Sequence, residues 1–471
     1  MSLRPRYWML RSISCILVRQ CPSLSTGLHS EGCSPELAEG HSKRLMSDVR
    51  ADLRNIVGAS KYWSEHLQSV KEKASSPVTV TYQGDLPCRR MKDSYQEAYL
   101  PLGSQPHLRE KYLNVYNYVR FGRIFEDLDS FGVLISYTHA KTECPRSPFS
   151  IVTALVDEID LVRNVIRPDC DLKFTGNVTW VGRSSLEVQM KVSQYYDGIF
   201  NLALEATFVM VARDAGNKSA ALVNPLKPEG PEEERLFQQG NLNKKERAKL
   251  KENSLLKVAP NEEERKIIHE MFLETLDINK LPQPDLTEEF RVDGRHKAQK
   301  SGDMSSTGCG LVNIGEVFSG KSHGRYCIET HHHEERNIFN KIFGGFLMRK
   351  AFELAWANAC VYGSSRPYAI AVDDILFQKP VEVGSLLYLS SQVCYTESKY
   401  IQVRVHSEVL DPLTKEHSTT NIFHFTFGCQ KEVMQVIPKT YGESMLYLDG
   451  KRHFKATPIR DQNLVNLPAA N

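Results

Sequence analysis

NIFNKIFGGFLMRKAFELAWA, residues 337–357, joins a pair of glycines to a strongly apolar helical run. Phe346, Leu347, Phe352, Leu354 and Trp356 cover much of a helix circumference, the pattern of a largely enclosed helix. Gly344 and Gly345 stand at its mouth, where each should weaken a helix interior by roughly 1 kcal/mol relative to Ala. Two residues without a Cβ at that point imply that something must come close to the backbone.

The stretch is one of two copies. NVYN at 114–117 and NIFN at 337–340 match at a spacing of 223 residues (337 less 114), and in that register Gly122 falls on Gly345, Ile124 on Leu347 and Phe125 on Met348. Further on, TALVDEID (153–160) matches AIAVDDIL (369–376) at 216. VTWVGRSSLEVQM matches VCYTESKYIQVRV at 215, which pairs Val178 with Val393, Trp180 with Tyr395 and Val188 with Val403. Small drifts of this kind are the trace of short loop insertions in a duplicated unit. Each copy predicts an enclosed helix (Ile124, Phe125, Leu128, Phe131 and Leu134 in the first) followed by strands with period-two alternation. Leu186, Val188 and Met190 alternate in one copy; Ile401, Val403 and Val405 do so in the other. EATFVMVAR (205–213) and TNIFHFTFG (420–428) read as the matching last strands, again 215 apart. One helix plus an antiparallel sheet is an α+β unit, and the helix covers the sheet's apolar face. A curved sheet wrapped round a central helix meets that need.

The copies place domains at 84–213 and 301–435, with a charged, Pro-containing helical linker at 214–300 and a tail at 436–471. In that tail Thr440 and Glu443 have capping-box spacing. Residues 1–30 carry Arg4, Arg6, Arg11 and Arg19, with no Lys and no acid before Glu31, which reads as a mitochondrial presequence and predicts a matrix protein. With 59 basic and 57 acidic residues among 471, the net charge of +2 gives no support to a nucleic-acid partner. No apolar run reaches the roughly 18 residues needed to span a bilayer. The 11 cysteines are scattered without a Cys-x-x-Cys pair, so neither a disulfide framework nor a zinc ribbon is expected.

NIFNKIFGGFLMRKAFE followed by AVDDILFQKPVEVGSLLYLSSQVCYTESKYIQVRV resembles the hotdog fold of the acyl-CoA thioesterases. Asn337, Gly344, Gly345, Glu353, Val372, Asp373, Phe377, Pro380, Gly384 and Ser398 carry the likeness. With the tandem copy, the Arg-rich leader and the YLDGKR tail it extends to mitochondrial members of the family, over roughly residues 84–452. The resemblance implies two hotdogs side by side in one joint sheet, a double hotdog that assembles further into homo-oligomers, often trimers. It also implies acyl-CoA bound at their interface and cleaved by water to free fatty acid and CoA. No cofactor is implied, because coenzyme A is part of the substrate.

Water attack on a thioester needs a proton acceptor, donors for the developing oxyanion and a dry acyl channel. The start of a buried helix offers N–H groups and the positive end of its dipole, and glycine lets an oxygen approach them. The alternative for Gly344 and Gly345 is close packing of helix on sheet. In the family an acid lies seven residues after the second Gly and faces the helix start of the other hotdog. Copy one has Asp129 there but has lost the Gly pair, with Phe121 and Arg123 flanking Gly122. Copy two keeps the pair but has Phe352 at the acid position and Glu353 one step later. The expected catalytic set is therefore one principal site of Asp129, Asn337, Asn340, Gly344 and Gly345. Glu353 then serves a weakened second site or braces the first. Against these stand an Asp129 exposed beside Glu126 and Asp127, a Glu353 paired to Arg349 along its helix, and an Asn340 that only tolerates a left-handed backbone. Arg183, Lys379 and Lys399 are candidates for the CoA phosphates, although solvated surface explains each as well.

Other classes fit less well. GEVFSGKS (315–322) matches a phosphate-loop expression but runs into strand-like residues instead of a helix. The Asp373 stretch that would follow it recurs in a copy without any such loop. His331, His332 and His333 beside Glu334 and Glu335 read as surface residues, since alternate strand side chains face opposite ways, and no metal is expected. No Gly-x-Ser-x-Gly segment occurs, which argues against an acyl-enzyme. A non-catalytic acyl-CoA sensor or scaffold on the same fold is the second reading.

Overall fold

Hydrophobic alternation builds the sheet. Leu186, Val188, Met190 and Val192 in the first copy, and Ile401, Val403 and Val405 in the second, are fully buried on one face of their strands. The computed structural model describes residues 43–57, 82–141, 147–161, 166–214, 219–275, 326–329, 342, 344–379, 381, 385–411, 414 and 416–457. The phosphate-loop-like segment, the run from His331 to Glu335, Asn337, Asn340 and the Arg-rich first thirty residues lie outside them.

Among the described residues the strands are β1 (Gln96–Leu100), β2 (Ser150–Asp160), β3 (Leu172–Val181), β4 (Ser185–Tyr196), β5 (Ile199–Arg213), β6 (Tyr326–Glu329), β7 (Tyr368–Phe377), β8 (Leu386–Glu397), β9 (Tyr400–Leu410) and β10 (His417–Gly428). They form one antiparallel sheet in the order β1-β3-β4-β5-β2-β7-β10-β9-β8-β6. Read outward from the β2–β7 seam, the two halves have the same order. At the seam Val156 pairs with Ile375 and Ile159 with Val372, two contacts that the 216-residue repeat exchanges. The ladder also repeats a defect: β3–β4 slips between Val178 and Trp180, and β8–β9 slips between Val393 and Tyr395. The last strands differ from expectation. Val188 pairs with Phe208 and Val403 with Phe425, so β5 and β10 match at 217 residues instead of 215. A two-residue step leaves every side chain on its own face, so alternation could not detect it.

Each half wraps a helix, α2 (Phe121–His139) in the first and α5 (Gly344–Gly363) in the second, giving the tandem hotdog architecture. Ile124, Phe125, Leu128, Phe131 and Leu134 are buried, as are Phe346, Leu347 and Phe352. Leu354 and Trp356 are only half-buried, and the Trp356 indole N–H donates to the Pro367 carbonyl at 3.0 Å. Phe125, Phe131, Phe174, Phe208, Phe423, Phe425 and Phe427 are fully enclosed, each contributing roughly 2–3 kcal/mol by leaving water. Helix α1 (Met46–Val57) lies against α2 through Met46, Val49 and Leu53. It is tied there by Arg50 to the buried Asp127 at 2.5 Å, which also accepts the Tyr112 hydroxyl at 2.7 Å.

The outer face carries further helices, and here the repeat extends beyond the strands. Helix α3 (Pro231–Glu252) sets Gly240 against Trp180, and α6 (Tyr441–Ala456) sets Gly450 against Cys394 and Tyr395. The bulge aromatic of each copy thus meets a helix glycine, and the two glycines are 210 residues apart. The Trp180 indole N–H donates to Asn241 at 2.9 Å. Arg247 of α3 grips Asp157 at 2.7 Å and Glu187 at 3.2 Å. Helix α6 begins on the expected capping box: Thr440 Oγ1 accepts the Glu443 N–H at 3.2 Å, and Glu443 accepts the Thr440 N–H at 3.1 Å. Arg452 of α6 pairs with Glu264 of α4 (Glu262–Thr275) at 2.6 Å.

Gly240→Ala would place a Cβ 2.4 Å from Trp180 Cβ. The helix must lift, at a cost of about 1–3 kcal/mol, visible as a lowered thermal midpoint. An unchanged midpoint would show that α3 does not seat on Trp180.

Candidate active site

The two central helices begin beside each other and touch through glycines. A Cβ on Gly345 would lie 2.8 Å from Glu126 Cα and 2.9 Å from Asp129 Cβ; one on Gly122 would lie 3.2 Å from Arg349 Cα and 2.7 Å from Arg349 Cγ. In the 223-residue register Gly122 matches Gly345 and Glu126 matches Arg349, so the two contacts are the same contact made twice. Glu126 and Arg349 pair with each other at 3.1 Å, opposite charges at equivalent positions. The pairing of Glu353 with Arg349 expected along the helix is therefore not made through Arg349's guanidinium: Glu353, about a third exposed, reaches across to Arg120 at 2.5 Å.

Asp129 is not an exposed helix acid. It is 2% exposed and points at the start of α5, where its Oδ2 accepts the Gly345 N–H at 2.8 Å. Its Oδ1 accepts the Thr153 hydroxyl of β2 at 2.5 Å. Burial strips water from the carboxylate and raises its pKa; the Thr153 and Gly345 hydrogen bonds oppose this, and the charge of Glu126 adds to it. Each oxygen accepts one protein hydrogen bond and keeps acceptor capacity for one more. The space beside Gly345 holds the α2 backbone and Asp129, so close helix packing accounts for that glycine, although the partner is a helix and not the sheet. Beside Gly344 lie the Phe377 ring at 3.1 Å and Asp129 Oδ1 at 3.3 Å from the position a Cβ would take.

The mirror-related place is built differently. Phe121 replaces Gly344, Phe352 replaces Asp129, and Ala369 replaces Thr153 at the 216 register. Phe352 is buried among Phe125, Phe425, Phe427 and Phe121, with ring centroids at 5.3, 5.6, 5.8 and 6.3 Å. Among the described residues no carboxylate accepts an N–H of that helix's first turn; Glu353 pairs instead with the guanidinium of Arg120, the residue at its N-terminal cap.

Thr153 was missed in the sequence as a site residue. Its signal is that Thr153 and Ala369 diverge together with Asp129 and Phe352. Asn337 and Asn340 lie outside the described residues, but their first-copy counterparts are visible. Asn114 Oδ1 accepts the N–H groups of Tyr116 and Tyr118 at 2.9 and 3.0 Å, and Asn117 adopts a left-handed backbone at φ 64°. Lys379 is exposed two residues beyond Phe377, whereas Arg183 and Lys399 sit in the β3–β4 and β8–β9 turns.

Because Asp129 has a raised pKa in the fold, the native chain keeps a proton that the unfolded chain releases near its ordinary value of about 3.9. Its contribution to stability therefore falls as pH rises from that value to the folded one, and is flat above. Asp129→Asn removes this slope. The thermal midpoint of the native chain minus that of the variant should decline with rising pH across the window, and a pH-independent difference would contradict the assignment.

No family model matches the chain. It is 57% identical over 411 residues to human "Acyl-coenzyme A thioesterase 9, mitochondrial", covering 87% of this chain and 88% of that protein. The bovine protein of the same name is 54% identical over 444 residues, covering 94% and 95%. Mouse "Acyl-coenzyme A thioesterase 10, mitochondrial" is 51% identical over 445 residues, covering 93% and 96%.

Proposed function

The chain belongs to the acyl-coenzyme A thioesterase family, and from that premise we propose that it hydrolyses acyl-CoA at one site per chain, built by Asp129 and Thr153 of the first copy and the Gly344–Gly345 helix start of the second. It is a thioester hydrolase, and its products are the free fatty acid and CoA. The observation that carries the site is the buried Asp129 carboxylate held at 2.8 Å on the Gly345 N–H.

In this reading Asp129 is the general base. Thr153 and Gly345 orient its two oxygens, and the acceptor capacity left on each is where the attacking water binds. Desolvation raises its proton affinity, which strengthens it as a base near neutral pH. The first four N–H groups of a helix lack intrahelical acceptors. Asp129 takes that of Gly345, so a neighbouring N–H of the same turn receives the thioester oxygen, where the helix dipole favours the oxyanion. Asn337 and Asn340 belong to the segment leading into that turn. Glu353 braces the first-copy loop through Arg120 and stands outside the chemistry. The aromatic plug round Phe352 supports a silent second site. Lys379 is the cation we favour for the CoA phosphates, because it is exposed two residues beyond Phe377, whose ring stands beside Gly344.

The repeating unit in this reading runs through α3 in the first copy and α6 in the second, since each helix seats on its own bulge aromatic. The mitochondrial names of the relatives and the acid-free, Arg-rich first thirty residues support a mitochondrial location, and we place the enzyme in the matrix. The family resemblance supports a homo-oligomer of double hotdogs. No helix among the described residues is long and apolar enough to cross a membrane.

Asp129→Asn should lower kcat for acyl-CoA hydrolysis on the order of 10²–10⁴-fold, and Thr153→Val roughly 10–100-fold through loss of one charge-assisted hydrogen bond. Thiol release followed by a disulfide reagent measures both. Unchanged turnover in Asp129→Asn removes the residue from the mechanism, and absence of thiol release from the native chain would favour the sensor reading. A non-hydrolysable acyl-CoA thioether should bind at one per chain by calorimetry; two per chain would overturn the single-site arrangement.

A further inference from the structure

We propose that His424, Asp449 and His453 form a divalent-cation site of zinc type that fastens helix α6 to the outer face of the second copy's sheet. The strand places the first ligand. Phe423, Phe425 and Phe427 of β10 are buried on the inner face, and Phe425 meets the Phe352 ring of α5 at 5.6 Å. Successive strand side chains alternate, so His424 faces the other way, beneath α6. The helix supplies the other two ligands, four residues apart and therefore on one side of it. One imidazole nitrogen from each ring and one Asp449 oxygen all lie within 4.8 Å of one another.

Two further observations point to an ion. Among the described residues His424 Nδ1 is buried without a hydrogen-bond partner, one of several such atoms in the fold and the one that borders this cluster. His453 Nδ1 donates to Asp373 Oδ2 of β7 at 2.9 Å. A carboxylate behind an imidazole is the usual support of a metal-ligating histidine, because it fixes the ring and places the lone pair on Nε2. The two rings lie face to face at 3.7 Å, and His424 Nε2 is 3.8 Å from Asp449. Arg404, the cross-strand partner of His424, brings a positive charge close by, which Asp449 opposes. Two imidazoles and a carboxylate are a zinc donor set, with bonds of about 2.0–2.2 Å and ligand atoms about 3.4 Å apart in a tetrahedron. Ligation requires the His453 ring to turn out of its stack on His424, because imidazole lone pairs lie in the ring plane and stacked rings direct them in parallel.

The full chain, stripped with a chelator and desalted, is titrated with Zn²⁺ and separately with Co²⁺. One Zn²⁺ per chain should survive gel filtration and raise the thermal midpoint, reversibly with chelator, and Co²⁺ should give the visible bands of a tetrahedral site. His453→Gln and Asp449→Asn should abolish the tight binding. Asp373→Asn should weaken it about 10–100-fold by removing the support behind His453. A variant with His331, His332 and His333 replaced by Gln should keep the metal. The proposal is overturned if the native chain shows neither retained Zn²⁺ nor tetrahedral Co²⁺ bands. It is equally overturned if the histidine-run variant loses the metal, or if both His453→Gln and Asp449→Asn retain it.

Discussion

At the start of α5 the backbone comes so near to α2 that a Cβ on Gly345 would sit 2.8 Å from Glu126 Cα. The remaining architecture is arranged round this approach. It lets the Asp129 side chain of one helix cap the first turn of the other, so that a buried carboxylate meets a positive helix end. The Glu126–Arg349 pair at the same crossing links equivalent positions of the two copies with opposite charge. Opposite charges at equivalent positions attract across the crossing, where two copies of either residue would repel.

The two helix starts also differ in chemistry. At one helix start stand Gly344, Asp129 and Thr153; at the other stand Phe121, Phe352 and Ala369, all apolar. The second set lies at a place enclosed by Phe125, Phe425 and Phe427. Filling such a space with aromatic rings adds burial and edge-to-face contacts, so this helix start is part of the core. The copy with the acid keeps Gly122 at the helix crossing and has Phe121 where the other has Gly344, and its Asp129 accepts from the other copy's helix start.

The outer face repeats the logic of close approach with different chemistry. Gly240 and Gly450 let α3 and α6 settle on Trp180 and on Cys394 and Tyr395, where the ladder slips by one residue in both halves. Asp157 and Asp373, 216 residues apart, are each held by the overlying helix. Arg247 holds the first, and His453 holds the second. A guanidinium keeps its charge throughout the working range, while an imidazole can lose it or bind an ion.

Periodicity and self-similarity alone determined that there are two copies, that each has an enclosed helix and an alternating sheet, and that α6 starts at Thr440. These follow from local spacing, which a chain carries wherever it folds. The pairing of Asp129 with the Gly pair was expected from the family resemblance, together with the complementary replacements at positions 121 and 352. Local spacing could not show that Gly345 is filled by a neighbouring helix, that Thr153 holds the second carboxylate oxygen, or that Glu353 leaves Arg349 for Arg120. It also missed the two-residue slip between β5 and β10, because such a slip alters no side chain's face. Those features were decided by the tertiary structure, since each depends on contacts between residues far apart in the chain.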